Sequence, residues 1–217
     1  MLGRAAVAMW WDVPPEVRAE WEDWHTHEHM PERLGLPGFL RGTRWIALSG
    51  EPSYFVLYEA SRLTTVSTGA YLERLNNPTP WSRRMMPHHR NMVRSLCRVR
   101  ASFGGGLGQA VATIRFSPPP RGGAPLRRRL AAEVLPELPG RRGLSGACLL
   151  ESEAPACAPQ TTEQKIRDGD AHADWILVVG GYDVDALKPI AGELALPGAA
   201  VGLYRLAYAV TSRDLPR

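Results

Sequence analysis

The stretch Trp21-Glu-Asp-Trp-His-Thr-His-Glu-His-Met-Pro-Glu-Arg-Leu-Gly-Leu-Pro-Gly-Phe39 contains three of the six histidines of this 217-residue chain. Pro14 and Pro15, just before it, favour a helix start, because the first helical turn does not use the N–H that proline lacks. Gly35 and Gly38 favour the helix end. Five side chains then recur at spacings of three and four residues and share one face: Trp21, His25, Glu28, His29 and Glu32. Such a face can move protons or hold a ligand.

The composition is that of a soluble globular protein, with 44% hydrophobic and 22% charged residues. No apolar run approaches the ~20 residues that span a bilayer, and the first nine residues lack the apolar core of a signal peptide. We therefore expect a cytoplasmic protein without a membrane partner. The three cysteines, Cys97, Cys148 and Cys157, are odd in number and lack Cys-x-x-Cys spacing. This pattern indicates neither a disulfide framework nor a zinc site.

The net charge of +4 comes mainly from arginine, with clusters at 83–84, 127–129 and 141–142. A nucleic-acid surface would need these clusters on one face, with exposed aromatic side chains among them. The sequence gives no sign that they converge, so we interpret them as solvated helix faces and loop ends. We expect no nucleic-acid partner.

The chain resembles itself at a shift of about 105 residues. Residues 6–15 and 110–119 are both strand-like runs that end in Pro-Pro, at a shift of 104 (110 − 6). Three residues of the opening stretch, Glu28, Pro31 and Glu32, match Glu133, Pro136 and Glu137 at a shift of 105 (133 − 28). Each half is predicted to run strand, helix, strand, strand, helix, strand, which is the ferredoxin-like split β-α-β unit.

The predicted fold class is α+β, with two tandem ferredoxin-like β-α-β-β-α-β repeats forming a fused α+β barrel. The first repeat spans 1–103 and carries the site, 104–108 is a Gly-rich linker, and 109–217 is a degenerate, structural repeat. The predicted strands are about 5–12, 39–48, 53–60, 95–103, 109–117, 144–151, 174–182 and 201–210. The predicted helices are about 15–34, 64–76, 125–138 and 184–194.

The self-comparison also predicts which way the histidines point. At a shift of 105, Trp21, His25 and His29 fall on an apolar stripe that should face its own sheet: Leu126, Leu130 and Val134. His25 and His29 should then lie between helix and sheet, either as satisfied core residues or as the lining of a cavity. A slip of one position in this alignment would turn them away from the sheet.

Two further interpretations stay open. His25 and His29, four residues apart, could place two nitrogens on one metal ion, but no third ligand is fixed among Glu28, Glu32, His88 and His89. We therefore predict no metal site and keep a metalloenzyme as an alternative. Residues 77–94, rich in Pro, Met, Trp and Arg, are predicted to cross from the second helix to the last strand as a lid, or to cover a partner surface.

Residues 24–33, followed by Leu36-Pro-Gly-Phe39, resemble the signature of the dimeric α+β barrel superfamily, and within it EthD-like and related uncharacterised bacterial families. The family's His-x-Pro step is His29-Met-Pro31 here. The resemblance covers the first half, whereas the second half fits the fold only, because Val134-Leu-Pro136 lacks the histidine.

The resemblance implies a range of activities. The superfamily includes cofactor-free monooxygenases, polyketide cyclases, muconolactone isomerases, dehydrochlorinases and haem enzymes. In several, a histidine between sheet and helix acts as a base on an acidic carbon or phenol, a role that transfers to His29, with His25 as a second member. Haem is disfavoured, because no residue is singled out as an axial ligand.

The sequence therefore predicts a cofactor-free enzyme that isomerises, eliminates from or cyclises an aromatic or lactone-like metabolite. His29 would be the general base, paired with Glu28, and His25 would hydrogen-bond the developing anion. The predicted substrate-binding residues are Trp24, Trp45, Tyr54, Trp81 and His88. The alternatives are a monooxygenase with the same pocket, a non-enzymatic binding protein and a metalloenzyme. The expected partner is a small-molecule substrate, and a homodimer is left open.

Overall fold

The computed structural model describes residues 1–153, 160–167 and 169–215, so Cys157 lies outside the described residues. Eight strands are present: β1 (Ala5–Asp12), β2 (Phe39–Ser49), β3 (Tyr54–Ala60), β4 (Arg90–Gly104), β5 (Ala110–Phe116), β6 (Leu144–Ser152), β7 (Trp175–Gly181) and β8 (Ala200–Thr211). Seven predicted strands agree with the structure to within one residue at each end. The exception is β4, which begins five residues earlier than predicted.

The strands close into one barrel in the order β1-β3-β2-β8-β5-β7-β6-β4, with every neighbouring pair antiparallel. The first four strands are adjacent in the order β4-β1-β3-β2. The last four are also adjacent, and the two groups join through β2–β8 and β4–β6. The barrel therefore closes within a single chain, and the prediction of an α+β barrel is confirmed.

Helices cover the outside of the barrel. They are α1 (Arg18–Trp24), α2 (Met30–Leu34), α3 (Gly69–Asn76), α4 (Pro80–Met85), α5 (Gly123–Arg129), α6 (Thr162–Ile166) and α7 (Val184–Glu193). Short 3-10 turns lie at Pro15–Val17, Leu63–Ser67, Met86–His88 and Leu135–Gly140. No helix among residues 1–153, 160–167 and 169–215 is long and apolar enough to cross a membrane.

The predicted helix 15–34 is present as one helical run, but its middle turn, His25–His29, is a π-helix. Pro31 follows directly and has no N–H to donate to the carbonyl four residues earlier, which favours a widened turn at this point. A second π-turn lies at Leu130–Val134, 105 residues later (130 − 25), and Pro136 follows it. The two halves thus carry the same helical irregularity at matching positions.

Successive side chains of β1 point alternately into two apolar layers, one outside the barrel and one inside it. Val7, Met9 and Trp11 face the helices, whereas Ala8 and Trp10 face the barrel interior. The outer layer of the first half contains three of the six buried tryptophans, Trp11, Trp21 and Trp24, and the cavity described below lies in it.

Two helices were not predicted. Within segment 77–94, Thr79 accepts the N–H of Ser82 and so caps α4, and Pro80 occupies its first turn. In the second half, Thr161 and Gln164 form a capping box that starts α6. Both helices are short, so neither produces the long apolar periodicity on which the sequence prediction relied.

Candidate functional site

A small cavity lies between the helical run 15–34 and the outer face of the sheet. Its free space is about 20 Å³. This is enough for about one water molecule. Aromatic, imidazole and guanidinium groups dominate the lining: Met9, Trp11, His25, His29, Arg33, Phe39, Tyr58, Tyr71, Leu75, His89, Met92, Arg94, Glu163 and Arg167. His25 and His29 are both buried in it, as the self-comparison predicted.

His25 is held by Arg44 of β2. The Nη1 atom of Arg44 lies 3.5 Å from Nδ1 of His25 and also donates to the carbonyl of Glu22 at 3.0 Å. Because a guanidinium can only donate, Nδ1 of His25 must accept, and the proton of the neutral ring sits on Nε2. That Nε2 atom is buried and has no partner among the described residues. His25 is therefore a neutral imidazole with an unused N–H donor.

His89, at the entry to β4, is fixed in the same way by an indole. Nε1 of Trp21 donates to Nε2 of His89 at 2.8 Å. Since indole is only a donor, Nε2 accepts and the ring proton sits on Nδ1. Nδ1 is also buried without a partner in the described part of the chain. The cavity thus contains a second imidazole with an unused N–H donor.

His29 differs from the other two, because no hydrogen bond within the described residues fixes its ring. Its Nδ1 atom is buried and unpartnered, and its side chain packs against Trp24 at 4.6 Å between ring centroids. The centroids of His25 and His29 are 5.5 Å apart. Of the three imidazoles, His29 is thus the one whose lone pair is not held by a neighbouring donor.

Burial lowers the pKa of all three histidines well below the usual value. Loss of hydration is the main cause, and nearby arginines add to it: Arg44 at His25, Arg33 at His29 and Arg167 at His89. All three rings are therefore neutral at pH 7. Tryptophans enclose them, with Trp21 stacked on His25 at 4.8 Å and Trp11 at 4.8 Å from His89.

Among the described residues, Glu28 makes no hydrogen bond or ion pair with a histidine, so its predicted pairing with His29 is wrong. Its Oε1 atom accepts hydrogen bonds from Trp24 Nε1 at 3.0 Å, Thr79 Oγ1 at 2.5 Å and Ser82 Oγ at 3.3 Å. Adjacent residues on a helix point in different directions, so Glu28 reaches α4 while the neighbouring His29 lines the cavity. Glu28 fastens α4 to the helical run instead of orienting a base.

None of the five predicted substrate-binding residues is among the described residues that line the cavity. Trp24 is buried beside His29, but Trp45 lies in the barrel interior with Trp10 and Phe55, because its strand position faces inward. Placing Trp45 in this cavity was wrong.

The other three predicted substrate-binding residues also lie outside the cavity lining. Tyr54 packs on Trp21 at 4.7 Å and donates to Glu22 Oε1 at 2.7 Å. Trp81 is half-buried at the edge of the outer apolar layer. His88 is half-buried outside the cavity, at the end of the 3-10 turn Met86–His88, whereas its neighbour His89 lines the cavity.

An ionic chain from the second half closes one side of the cavity. Arg33 pairs with Glu163 of α6, and Arg167 binds Asp170 at 3.0 Å. The side chains of Arg33 and Glu163 are each 4% exposed. Sequence reasoning missed Glu163 and Arg167. Their i, i+4 spacing after the capping box at Thr161 was a readable sign of a helix, but nothing in it placed that helix on the first half.

Within the described ranges, no group of three or more His, Cys, Asp or Glu side chains is arranged to hold a metal ion. Arg33, Arg94 and Arg167 line the cavity against a single lining carboxylate, Glu163. Arg33 and Arg167 are paired with Glu32 and Asp170 as well, so of the three arginines only Arg94 lacks a carboxylate within 4 Å in the described part of the chain, and its guanidinium opposes a cation there.

No protein-family model matches the sequence, and no curated protein matches it either. Solved structures do match. A protein from Fusobacterium nucleatum described as "Putative monooxygenase" has a TM-score of 0.61 at 9% identity, over 97% of this chain and 96% of its own. An anthrone oxidase-like protein has a TM-score of 0.61 at 12% identity, over 97% and 93%. Chlorite dismutase from Candidatus Nitrospira defluvii has a TM-score of 0.52 at 7% identity, over 92% and 90%. At these identities the chain shares with them the ferredoxin-like α+β barrel fold.

Proposed function

We propose that this protein is a cofactor-free enzyme that moves a proton on a small aromatic or lactone-like metabolite. One observation carries the proposal: the hydrogen bonds sort three neutral, buried imidazoles into two donors and one free acceptor. Arg44 and Trp21 leave His25 and His89 each with an unused N–H, and no hydrogen bond within the described residues occupies the ring of His29. His29 is then the general base, and the other two bind the anion that forms.

The environment suits the formation of an anion. The rings are shielded from water, so hydrogen bonds from His25 and His89 to a developing enolate or phenolate act at low dielectric. The low pKa of His29 keeps it neutral and ready to accept a proton. The same low pKa makes it a weak base, and the anion formed beside it would offset this by stabilising the imidazolium.

Oxygenation is the second candidate, and the fold neighbours described as monooxygenase and anthrone oxidase-like favour it. A carbanion formed by His29 would pass electrons to dioxygen. For a CH₂ group flanked by aromatic rings, one oxygen atom would become the new carbonyl, and the other would leave as water with the two hydrogens. The first step, proton removal, is common to both candidates.

Anthrone, which has such an acidic CH₂ group, is a suitable probe. We expect the protein to accelerate deuterium exchange at this carbon, followed by NMR without oxygen, and His29→Gln to abolish the acceleration. The matched control is His27→Gln, because His27 lies on the same helical run but is exposed and pairs with Asp23 at 3.7 Å. Oxygen uptake above the uncatalysed rate would select the oxygenase. Binding without exchange or uptake would leave a binding protein, and His29→Gln with full exchange would refute the base.

We also propose that the chain consists of two tandem ferredoxin-like units, 1–103 and 109–217, with the site in the first. The matching π-turns and the two adjacent groups of four strands support this division. The His29-Met-Pro31 step supports a relationship with EthD-like proteins. The second unit carries Leu130 and Val134 at the positions of His25 and His29, in keeping with a structural role.

A further inference from the structure

A groove on the outer surface adjoins the histidine cavity. Its free space is about 530 Å³ by the same measure, within the usual range for small-ligand sites. Tyr71, Leu75 and Arg94 line both the groove and the cavity. A molecule bound in the groove would therefore lie against the outer wall of the histidine site, while the cavity itself has room for little more than a water.

The groove has an apolar side. Leu63, Val66, Leu72 and Leu96 line it, and Leu72 is 41% exposed, which is high for a large aliphatic side chain on a folded surface. This side can receive the hydrocarbon body of a ligand.

The charges along the groove are unevenly satisfied. Its two carboxylates already have arginine partners, because Glu153 binds Arg98 at 3.0 Å and Asp170 binds Arg167 at 3.0 Å. Arg94 donates from Nη2 to the hydroxyl of Tyr71 at 2.9 Å and has no carboxylate within 4 Å among the described residues. Arg94 is therefore a partly buried guanidinium with unused donors, at the boundary between groove and cavity.

We propose that the groove binds a small amphipathic monocarboxylate, with its carboxylate on Arg94 and its apolar body against Leu72 and the neighbouring aliphatic side chains. This proposal deepens the proposed function by naming the substrate class, and it rests on that function for the reaction. A carboxylate on Arg94 would hold the adjacent carbon next to the cavity, where His29 is the base. Binding alone does not depend on the chemistry and is tested without turnover.

The test compares 2-naphthoate with the neutral 2-naphthalenemethanol by isothermal titration calorimetry. We expect the full-length protein to bind the carboxylate at least tenfold more tightly than the alcohol. Arg94→Gln should remove that difference while leaving the affinity for the alcohol unchanged. The matched control is Arg62→Gln, which removes the same charge from an exposed position outside the groove lining and should change neither affinity.

A second variant keeps the test decisive if Arg94→Gln does not fold, as judged by circular dichroism. Leu72→Glu places a carboxylate at the exposed rim and should weaken 2-naphthoate binding at least threefold more than alcohol binding. Equal affinities for the two probes, no binding of 2-naphthoate at 1 mM, or full affinity in Arg94→Gln would overturn the proposal. Carboxylate-selective binding of 2-naphthoate together with no acceleration of anthrone deuterium exchange would leave this site standing and refute the proposed function.

Discussion

The indole Nε1 of Trp21 lies 2.8 Å from Nε2 of His89, across 68 residues of sequence. This hydrogen bond joins the helical run to the entry of β4 and places the imidazole proton of His89 on Nδ1, toward no other partner in the described structure. Together with Arg44 on His25, it divides the buried histidines into donors and an acceptor. The protonation pattern of the site thus depends on groups that do not themselves touch a substrate.

Trp21→Phe should allow the ring proton of His89 to occupy either nitrogen. The buried Nε2 would lose its donor, which costs about 1–3 kcal/mol of folding free energy before any loss of packing. Two-bond ¹⁵N–¹H spectra should show the Nδ1–H tautomer in the native protein and a mixture in the variant. Trp81→Phe, which alters a half-buried indole outside the cavity, should leave the His89 signals unchanged. A native spectrum with the proton on Nε2 would contradict the assignment.

Stability should fall as the pH drops below about 6.5, the ordinary histidine value. The pKa values of His25, His29 and His89 are lowered in the folded state, so below pH 6.5 the unfolded chain binds protons that the folded chain does not. The stabilisation is complete above the unfolded value and is lost as pH falls toward the folded values. Each histidine contributes up to ~1.4 kcal/mol per pH unit, and the three together up to ~4.

Denaturant unfolding at pH 7.5, 6.5 and 5.5 measures this dependence. His29→Gln should reduce the slope between pH 6.5 and 5.5 by about one third, since it removes one of the three groups. The exposed His27→Gln should leave the slope unchanged. A native protein equally stable at pH 7.5 and 5.5 would be inconsistent with neutral buried imidazoles.

Glu28→Ala should destabilise the protein rather than remove a catalytic partner. The change would take an acceptor from Trp24, Thr79 and Ser82 and loosen α4, at a cost of about 2–3 kcal/mol. Glu28→Gln retains one amide oxygen and should lose less. Denaturation midpoints and the rate of anthrone proton exchange by the folded protein distinguish the roles. A large drop in rate at unchanged stability would restore Glu28 as a partner of the base.

Glu163→Gln should destabilise the contact between the two halves of the chain. Arg33 would be left buried with Glu32 as its remaining acidic partner, at 3.2 Å, and breaking a buried pair of this kind costs about 3 kcal/mol. Glu193→Gln is the control, because Glu193 pairs with Arg141 at 2.8 Å on the exposed surface. Urea midpoints should fall for the first variant and stay constant for the second. Equal midpoints would mean that solvent reaches the Arg33–Glu163 pair.

Much of the architecture could be predicted from local patterns. Pro-Pro endings, glycine breaks and the self-similarity at 105 residues gave the helical run 15–34 and seven strands to within one residue at each end. The same shift placed His25 and His29 on the buried side of their helix. These predictions succeeded because strand and helix periodicities are short-range, and each is repeated many times along the chain.

The site was less predictable, because its partners come from distant elements. Glu28 was assigned as the partner of its neighbour His29, but adjacent helical side chains point apart, and its acceptor is taken by Trp24 and by two residues of the segment 79–85. Trp45 was assigned without knowing which face of β2 it occupies. His88 was assigned to the cavity in place of its neighbour His89, which is the residue that lines it. Tyr58 lies in the cavity wall, and its buried hydroxyl has no partner among the residues that the structure describes, but no sequence pattern indicated this position.

The sequence by itself determined the order of the eight strands, the buried face of the first helix and the presence of two histidines on it. The tertiary structure decided which groups meet them: Arg44 at His25, Trp21 with His89, and Glu163 on Arg33 from 130 residues away. The physical reason is that periodicity specifies which side of an element is buried, whereas the partner across that buried surface is set by how the elements pack. In this barrel the packing assigns the proton donors, the free acceptor and the positive charge around the cavity.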